Sequence, residues 1–368
     1  MHALSEGDAA QWRAWQIGSE RLRAPTLSTA YLEILTATRP DVGIARFAVD
    51  GHVAFLGIHR RKGHWIAGGL LFNDRQALIR SQEGPHDPAY LDAAPDLVVS
   101  SWRADHLPEQ AGGLAAVQGF GVDMTQGLEA YLDDRKAAAL DHLKKIRRRL
   151  RALEAAMGPI RLLWPDPCPN ARKTLLAWKS DQFRRTGRHD ILTSRWLRAF
   201  ISAAFESDRE DCRAELATLY AGDHLVAAEI GFTGLGVNQS WLAAYDQDMA
   251  RFGPGTLLLQ AIIEASPARG IDRIDLGPGH GAYKQYFANE TYTVLSGRMR
   301  SRTLPSPAAD LTRFASWAEQ QRFPGARLPG KALRRYAMIE ACEPSLLGRA
   351  RGVLSALGAV SRQQRPPS

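Results

Sequence analysis

Residues 212–300 carry the feature that most restricts what this chain can become: a fixed succession of strand and helix signals punctuated by glycine. Three β-rich runs, 212–220, 224–232 and 238–245, are joined by a Gly222-Asp223 turn and a second glycine turn, so they predict consecutive antiparallel strands. Gly253-Pro254-Gly255 then opens a helix running from Thr256 to about residue 268, which Gly270 stops. A strand at 271–276, a glycine cluster from Gly277 to Gly281, a short helix at 282–288 and a last strand at 292–300 complete the order.

The first half holds a weaker version of this pattern. Residues 1–40 predict helix, closed by Pro40. Runs at 42–49 and 52–59 flank Asp50-Gly51, a hairpin signature, and a third strand is expected over 64–72. Residues 83–97 suit a loop or short helix, and short strands follow at 97–102 and 114–122. The segment Asp50-Gly51-His52-Val53-Ala54 is echoed by Gly222-Asp223-His224-Leu225-Val226-Ala227, each between two strands, which points to two related halves. Between the halves, Leu128, Leu132, Leu143, Ile146, Leu150 and Leu153 keep helical spacing over 126–156. The polar face of that helix carries Arg135, Lys136, Lys144, Lys145, Arg147, Arg148, Arg149 and Arg151. A strand at 160–164 and helices at 171–187 and 194–205 lead into the strand run.

A chain of 368 residues exceeds what one core usually serves, so two domains are expected. The net charge of +8 is concentrated late: residues 298–368 hold 13 Lys and Arg against 4 Asp and Glu. Cys168, Cys212 and Cys342 are too few and too scattered for a disulfide framework or a zinc site, so the expectation is a reducing cytoplasm and no metal. The N-terminal residues lack a signal-peptide pattern, and no stretch approaches the roughly 20 apolar residues of a spanning helix.

The glycine loop has a chemical meaning. Where a strand ends and a helix begins through glycine, unpaired backbone N–H groups and the positive end of a helix dipole meet at one spot, which suits phosphate. Arg251, Phe252, Gly253, Pro254, Gly255 and Thr256 form that loop. Glycine allows close approach of a ligand, Thr256 offers a hydroxyl and Arg251 a charge. A glycine loop alone is also an ordinary turn; its weight here comes from its place in the strand order.

That order is the order of the GNAT (Gcn5-related N-acetyltransferase) core. The chain resembles, more specifically, the CelD/BcsL-like acetyltransferase family, which is linked to bacterial exopolysaccharide synthesis. The resemblance rests on Phe252-Gly253-Pro254-Gly255, Ile274-Asp275-Leu276-Gly277-Pro278-Gly279, Tyr283-Lys284 and Phe287. It extends more loosely to Lys145–Arg149, Trp178-Lys179-Ser180-Asp181-Gln182 and Asn73-Asp74. The resemblance implies an α/β (α+β) fold of tandem GNAT-like domains, as in the related Fem peptidyltransferases. Each would be a mixed, mostly antiparallel sheet flanked by helices, the N-terminal one degenerate. The expected division is a degenerate domain at 1–125, a basic connecting helix at 126–158, the acyltransferase domain at 159–303 and a basic tail at 304–368.

It also implies acyl-CoA as co-substrate, held by Arg251 to Thr256, with an amine attacking the thioester directly. A backbone N–H of the 238–245 strand would stabilise the oxyanion. Tyr283 is the expected proton donor to the departing thiolate, and Asp275, His280 and Glu229 are the candidate bases. Glu229 stands alone in an apolar strand, and alternation does not decide whether it faces the cleft or solvent. Lys284, Lys179 and Asp74 are candidates for binding the acceptor. For each of these residues an ordinary structural role competes: core packing for Tyr283, turn capping for Asp275, solvation for Lys284 and His280.

The leading expectation is N-acylation of an amino sugar in an envelope or extracellular polysaccharide precursor, in the cytoplasm. The alternatives are acylation of a lipid amine with a longer acyl-CoA, Fem-like transfer from aminoacyl-tRNA, and a degenerate scaffold or nucleotide-binding regulator without catalysis. Nucleic acid is otherwise not an expected partner. Leu346, Leu347, Val353, Leu354, Leu357 and Val360, with Arg349, Arg351 and Arg362, form a basic amphipathic pattern. It suits either peripheral contact with the inner membrane or docking on the core.

Overall fold

The structure is a computed structural model describing residues 4–61, 63–69, 72–92, 94–103, 114–279, 281–299, 336, 338–343, 347–350 and 352–353. Helix α1 (Glu6–Ile17) and helix α2 (Thr29–Thr38) begin at Ser5 and Ser28, whose hydroxyls accept from the N–H groups of Asp8 and Tyr31. The expected continuous helical stretch over 1–40 is therefore two helices, divided by a 3-10 turn at Pro25–Leu27. Strands β1 (Val42–Val49) and β2 (His52–Arg61) pair through Asp50 and Gly51, both at positive φ, the geometry an Asp-Gly hairpin turn needs. Strand β3 (His64–Ala67) ends earlier than the expected 72, because Gly68 and Gly69 turn the chain and Gly69 has φ +82°. The first half continues with β4 (Ile79–Arg80), α3 (Asp87–Leu91), β5 (Leu97–Arg103) and β6 (Ala115–Asp123).

Helix α4 (Leu128–Met157) runs 30 residues, from Gly127 to Gly158, with one non-helical break at Ala139. Its buried side chains are Tyr131, Arg135, Ile146 and Leu153. The second half then follows the expected order: β7 (Ile160–Leu163), α5 (Pro169–Arg185), α6 (Arg195–Glu206), β8 (Arg213–Ala221), β9 (His224–Gly234) and β10 (Val237–Tyr245). After a 3-10 turn at Gln247–Phe252 come α7 (Pro254–Ala265), β11 (Arg273–Pro278), α8 (Ala282–Phe287) and β12 (Glu290–Met299).

All twelve strands belong to one mixed, mostly antiparallel sheet. Its order is β1-β2-β3-β5-β12-β6-β11-β10-β9-β8-β7, with β4 on β2. Only β3 with β5 and β10 with β11 pair in parallel among the named strands. The two halves interlock at the middle. Strand β12, the last in sequence, lies between β5 and β6 of the first half, and β6 lies against β11 of the second. Each half therefore contributes a strand to its neighbour's side of the sheet.

Three apolar clusters hold the layers. One joins α2, α5 and α6 to the sheet through Tyr31, Leu197, Phe200, Ile230 and Phe232. A second packs α4 and α7 on the opposite face through Ile146, Leu153, Leu258, Ile263 and Ile274. The third fills the first half with Phe47, Leu56, Tyr90 and Trp102. Of the tail, residues 338–343 are seated on the first cluster. The Ala341 carbonyl accepts from Arg39 Nη1 at 2.9 Å and Trp196 Nε1 at 3.2 Å, and the Cys342 carbonyl from Ser194 Oγ at 2.8 Å. Most of the amphipathic pattern at 346–362 lies outside the described residues. No described helix is long and apolar enough to cross a membrane.

Candidate active site

The site begins where β10 and β11 part. They pair from Val237 with Arg273 to Gln239 with Asp275, and no further. Beyond that point β11 stays paired only to β6 on its other edge, and β10 continues without a partner on the β11 side. One residue later β10 slips register against β9 between Ser240 and Leu242, which leaves Trp241 out of the ladder. A bulge of this kind bends the strand and frees backbone polar groups. The Trp241 ring packs on Phe200 and Phe232, so the side chain that anchors the bulge is fixed by the core.

The Gly253 loop lies at the far end of this opening. Gly253 is left-handed at φ +65°, which reverses the chain, and Pro254 at the first helical position starts α7 with a preset φ. Thr256 Oγ1 donates to the Gly253 carbonyl at 2.7 Å, so its hydroxyl braces the loop. The Arg251 guanidinium sits over the Phe252 ring at 4.6 Å, and Phe252 is buried. A Cβ at Gly255 would stand in ordinary contact with the Tyr245 ring, at 3.5 Å.

Two groups of polar side chains flank the opening. In the first, Glu229 of β9 is buried at 6 % exposure. Burial pushes its carboxyl up to about 7, partly opposed by the Ser240 hydroxyl and the Lys179 charge. Lys179 of α5 donates to the Ala243 carbonyl at 2.9 Å, directly across the ladder from Glu229. Burial, and then the neighbouring Arg188, push its ammonium down to about 8. Tyr283 of α8 is pushed up to about 12, by burial first and then by the Glu229 charge, although 42 % of the residue remains accessible. Lys179 and Tyr283, both expected from sequence, are thus each brought within electrostatic reach of Glu229.

The second group centres on Asp275. Its carboxylate accepts from Arg75 Nε at 2.5 Å, Tyr292 Oη at 2.5 Å and the Gly277 N–H at 3.0 Å. Burial raises its pKa, but the charge and hydrogen bond of Arg75, with Tyr292 and Gly277, outweigh it and hold the group below the usual carboxylate range. The Arg75 guanidinium also stacks on the Tyr292 ring at 4.1 Å. Asp74 faces Gly277 closely, and burial and the Asp275 charge push it up to about 7. Lys284 Nζ donates to the carbonyls of Gly277 at 3.2 Å and Pro278 at 3.0 Å. Asp74, Asp275 and Lys284 therefore form one cluster, and neighbouring residues of α8 serve the two groups: Tyr283 the first, Lys284 the second. His280 lies outside the described residues.

Arg75, Tyr292 and Ser240 were missed in the sequence. Arg75 follows the flagged Asn73-Asp74 pair, and its 8 % exposure demands a partner that only the other half supplies. Arg149 lay in a basic helix face, yet its guanidinium comes beside Gly253, 2.7 Å from where a Cβ there would stand.

The family model described as Acetyltransferase (GNAT) domain matches residues 141–285, from within α4 to the middle of α8. Among solved structures, the chain is similar to FemX at 10 % identity, covering 81 % of this chain and 96 % of that one with a TM-score of 0.52. It is also similar to L-PGS from Bacillus licheniformis, at 12 % identity, 85 % and 98 % coverage and a TM-score of 0.48. A tandem GNAT protein from the clavulanic acid biosynthesis pathway matches at 10 % identity, 83 % and 98 % coverage and a TM-score of 0.43. None of the curated proteins matches the chain. The chain has the GNAT-type N-acyltransferase fold, with its GNAT domain in the second half.

Proposed function

We propose that this protein transfers an acyl group from acyl-CoA to an amine at the opening between β10 and β11, with Glu229 as general base and Tyr283 as general acid. The observation that carries this reading is the meeting of Glu229, Lys179, Ser240 and Tyr283 beside the bulge at Trp241. The donor's pyrophosphate would lie on the loop from Arg251 to Thr256, and its pantetheine arm would enter the gap between the strands.

The chemistry follows from the pKa directions. An amine arrives protonated and must lose a proton to attack. Glu229, at about 7, is ionised in useful fraction near neutral pH and still basic enough to accept that proton. The amine nitrogen attacks the thioester carbon, and backbone amide freed at the Trp241 bulge suits the oxyanion. The C–S bond breaks, Tyr283, held protonated, donates its proton to the thiolate, and the second proton shed by the nitrogen as it becomes an amide restores the Tyr283 phenol through solvent. Asp275 is held as a carboxylate by three donors, which suits it to fixing β11, Tyr292 and Arg75 rather than to moving protons. Asp74 and Lys284, at the rim of that cluster, suit acceptor binding. Lys179, tied to the Ala243 carbonyl, suits positioning of β10 and tuning of Glu229.

For the acceptor, the resemblance of residues 251–287 to the CelD/BcsL-like family favours an amino sugar of an envelope or extracellular polysaccharide precursor. Calorimetric titration with acetyl-CoA, followed by thiol-release assays across amino sugars, lipid amines and peptide amines, tests the reading. A folded protein that binds no acyl-CoA would sink it. Turnover of lipid amines alone would replace the acceptor and keep the chemistry.

A further inference from the structure

We propose that Arg149 of α4 is a donor-binding residue: its guanidinium pairs with the pyrophosphate held on the Gly253 loop, so that the phosphate site is built from two elements rather than one. This inference rests on the acyl-CoA reading above and names a contact that α4 adds to it.

The first ground is position. The α4 helix packs along the 3-10 turn before Gly253 and along α7. From there Arg149 Nη1 lies 2.7 Å and Cζ 3.2 Å from the place a Cβ at Gly253 would occupy, and Thr256 Oγ1 lies at 3.2 Å from the same point. Glycine at 253 thus answers two demands: a left-handed φ and room for a guanidinium.

The second ground is charge. Arg149 is half-buried, whereas its neighbours Arg147 and Arg148 are exposed. Several half-buried and buried arginines among the described residues face carboxylates: Arg75 faces Asp275, Arg269 faces Glu215 and Arg273 faces Asp123. Among the described residues Arg149 has no such acid. It stands instead at the positive end of α7, where a second positive charge is repelled until an anion arrives. Lys145, one turn earlier, adds to the same field; after burial, Lys145 and then Arg149 lower the pKa of His142. A diphosphate resolves this arrangement, accepting from Arg149 on one side and from loop amides on the other.

The third ground is what α4 holds at its other end. Tyr131 Oη donates to the Phe287 carbonyl at 2.8 Å, Arg135 Nη1 to the Ala288 carbonyl at 2.5 Å, and His142 stacks on Tyr286 at 4.1 Å. Those residues belong to or follow α8, the helix of Tyr283. The element that would grip the donor phosphate is therefore the one that seats the proposed acid.

Titration of CoA and 3′-dephospho-CoA into the wild type, Arg149→Ala, Arg149→Lys and Arg148→Ala tests the assignment, with melting temperatures as a check on folding. Loss of a charge-assisted contact should weaken both ligands about ten- to a hundredfold in Arg149→Ala. The lysine variant should fall between, and Arg148→Ala should stay within about threefold of the wild type. Should Arg149→Ala not fold, the lysine variant decides alone: wild-type affinity for both ligands overturns the proposal. Equal losses in Arg148→Ala and Arg149→Ala, or a loss confined to CoA with its 3′-phosphate, also overturn it. A wild type that binds neither ligand overturns the acyl-CoA reading itself, a result distinct from all of these.

Discussion

The two parallel strand junctions of the sheet, β3 with β5 and β10 with β11, were given the same topology and different fillings. In the first half, Trp65 pairs with Leu97 and Ile66 with Val98, and among the described residues the chain between the strands makes the short β4 and the five-residue α3. Its neighbourhood is solid: Tyr90 and Trp102 are fully buried, and Phe47 lies edge-on to Trp65 at 6.3 Å. In the second half the crossover is a glycine loop and the twelve-residue α7, and the space past Gln239 and Asp275 is bordered by Glu229, Lys179 and Tyr283. One junction is filled by aromatic packing, whereas buried ionisable groups stand beside the other. A buried carboxylate with a raised pKa costs stability that an aromatic core would not, which suits the chemical role proposed for Glu229.

The largest expected effect tests which junction works. Glu229→Gln should lower kcat/KM by about 10²–10⁴-fold if the side chain is the general base, with acetyl-CoA affinity little changed. Activity within a few-fold of the wild type would remove Glu229 from the chemistry. Trp102→Ala makes the opposite cut: deleting a fully buried indole should cost about 3–5 kcal/mol in a denaturant titration. Donor affinity at a temperature where the variant stays folded should not change, and a large loss of affinity would mean the first junction is part of the site after all. Gly253→Ala and Gly51→Ala form a smaller pair. Both glycines have positive φ, so each substitution carries roughly 1–2 kcal/mol of backbone strain. A Cβ at Gly51 meets open space, while one at Gly253 meets Arg149. Only Gly253→Ala should weaken CoA binding, by tenfold or more; equal CoA affinity in the two variants would take the loop out of the donor site.

Much of the comparison was legible because its signals are local. Asp50-Gly51 and Gly222-Asp223 announce hairpins by the φ values they tolerate, and Gly253-Pro254 announces a reversal followed by a helix start. Glu229 was legible as an anomaly, one acid in an apolar strand, but the face it takes depends on the ladder and bulge around it. The placement of β12 between β5 and β6 has no local signature, because strand pairing over such separations is decided by the whole sheet. Arg149 was hidden for a related reason. In the sequence it is one of eight basic residues on a helix, and only the docking of α4 against Gly253 separates it from the solvated rest. Asp275 was found by motif, but its three donors come from Arg75, Tyr292 and a main-chain turn, so its protonation state was a tertiary property.

The smallest effect is the most specific to the second junction, because it reads the cost of holding Glu229 there. Its folded pKa of about 7 exceeds the 4.5 usual for a free glutamate, so the folded state binds the proton more tightly than the unfolded one. By linkage, this residue's contribution is most favourable below about 4.5, declines as the pH rises toward 7, and is flat above. Glu229→Gln has no such titration. Its stability relative to wild type should therefore improve between pH 5 and pH 8, by about 1–3 kcal/mol at most for a shift of this size. A Glu229→Gln difference that is constant from pH 5 to pH 8 would mean the carboxylate is solvated or fully compensated in the fold. The opening would then resemble the packed junction in energy as well as in topology, and the base would have to be sought elsewhere.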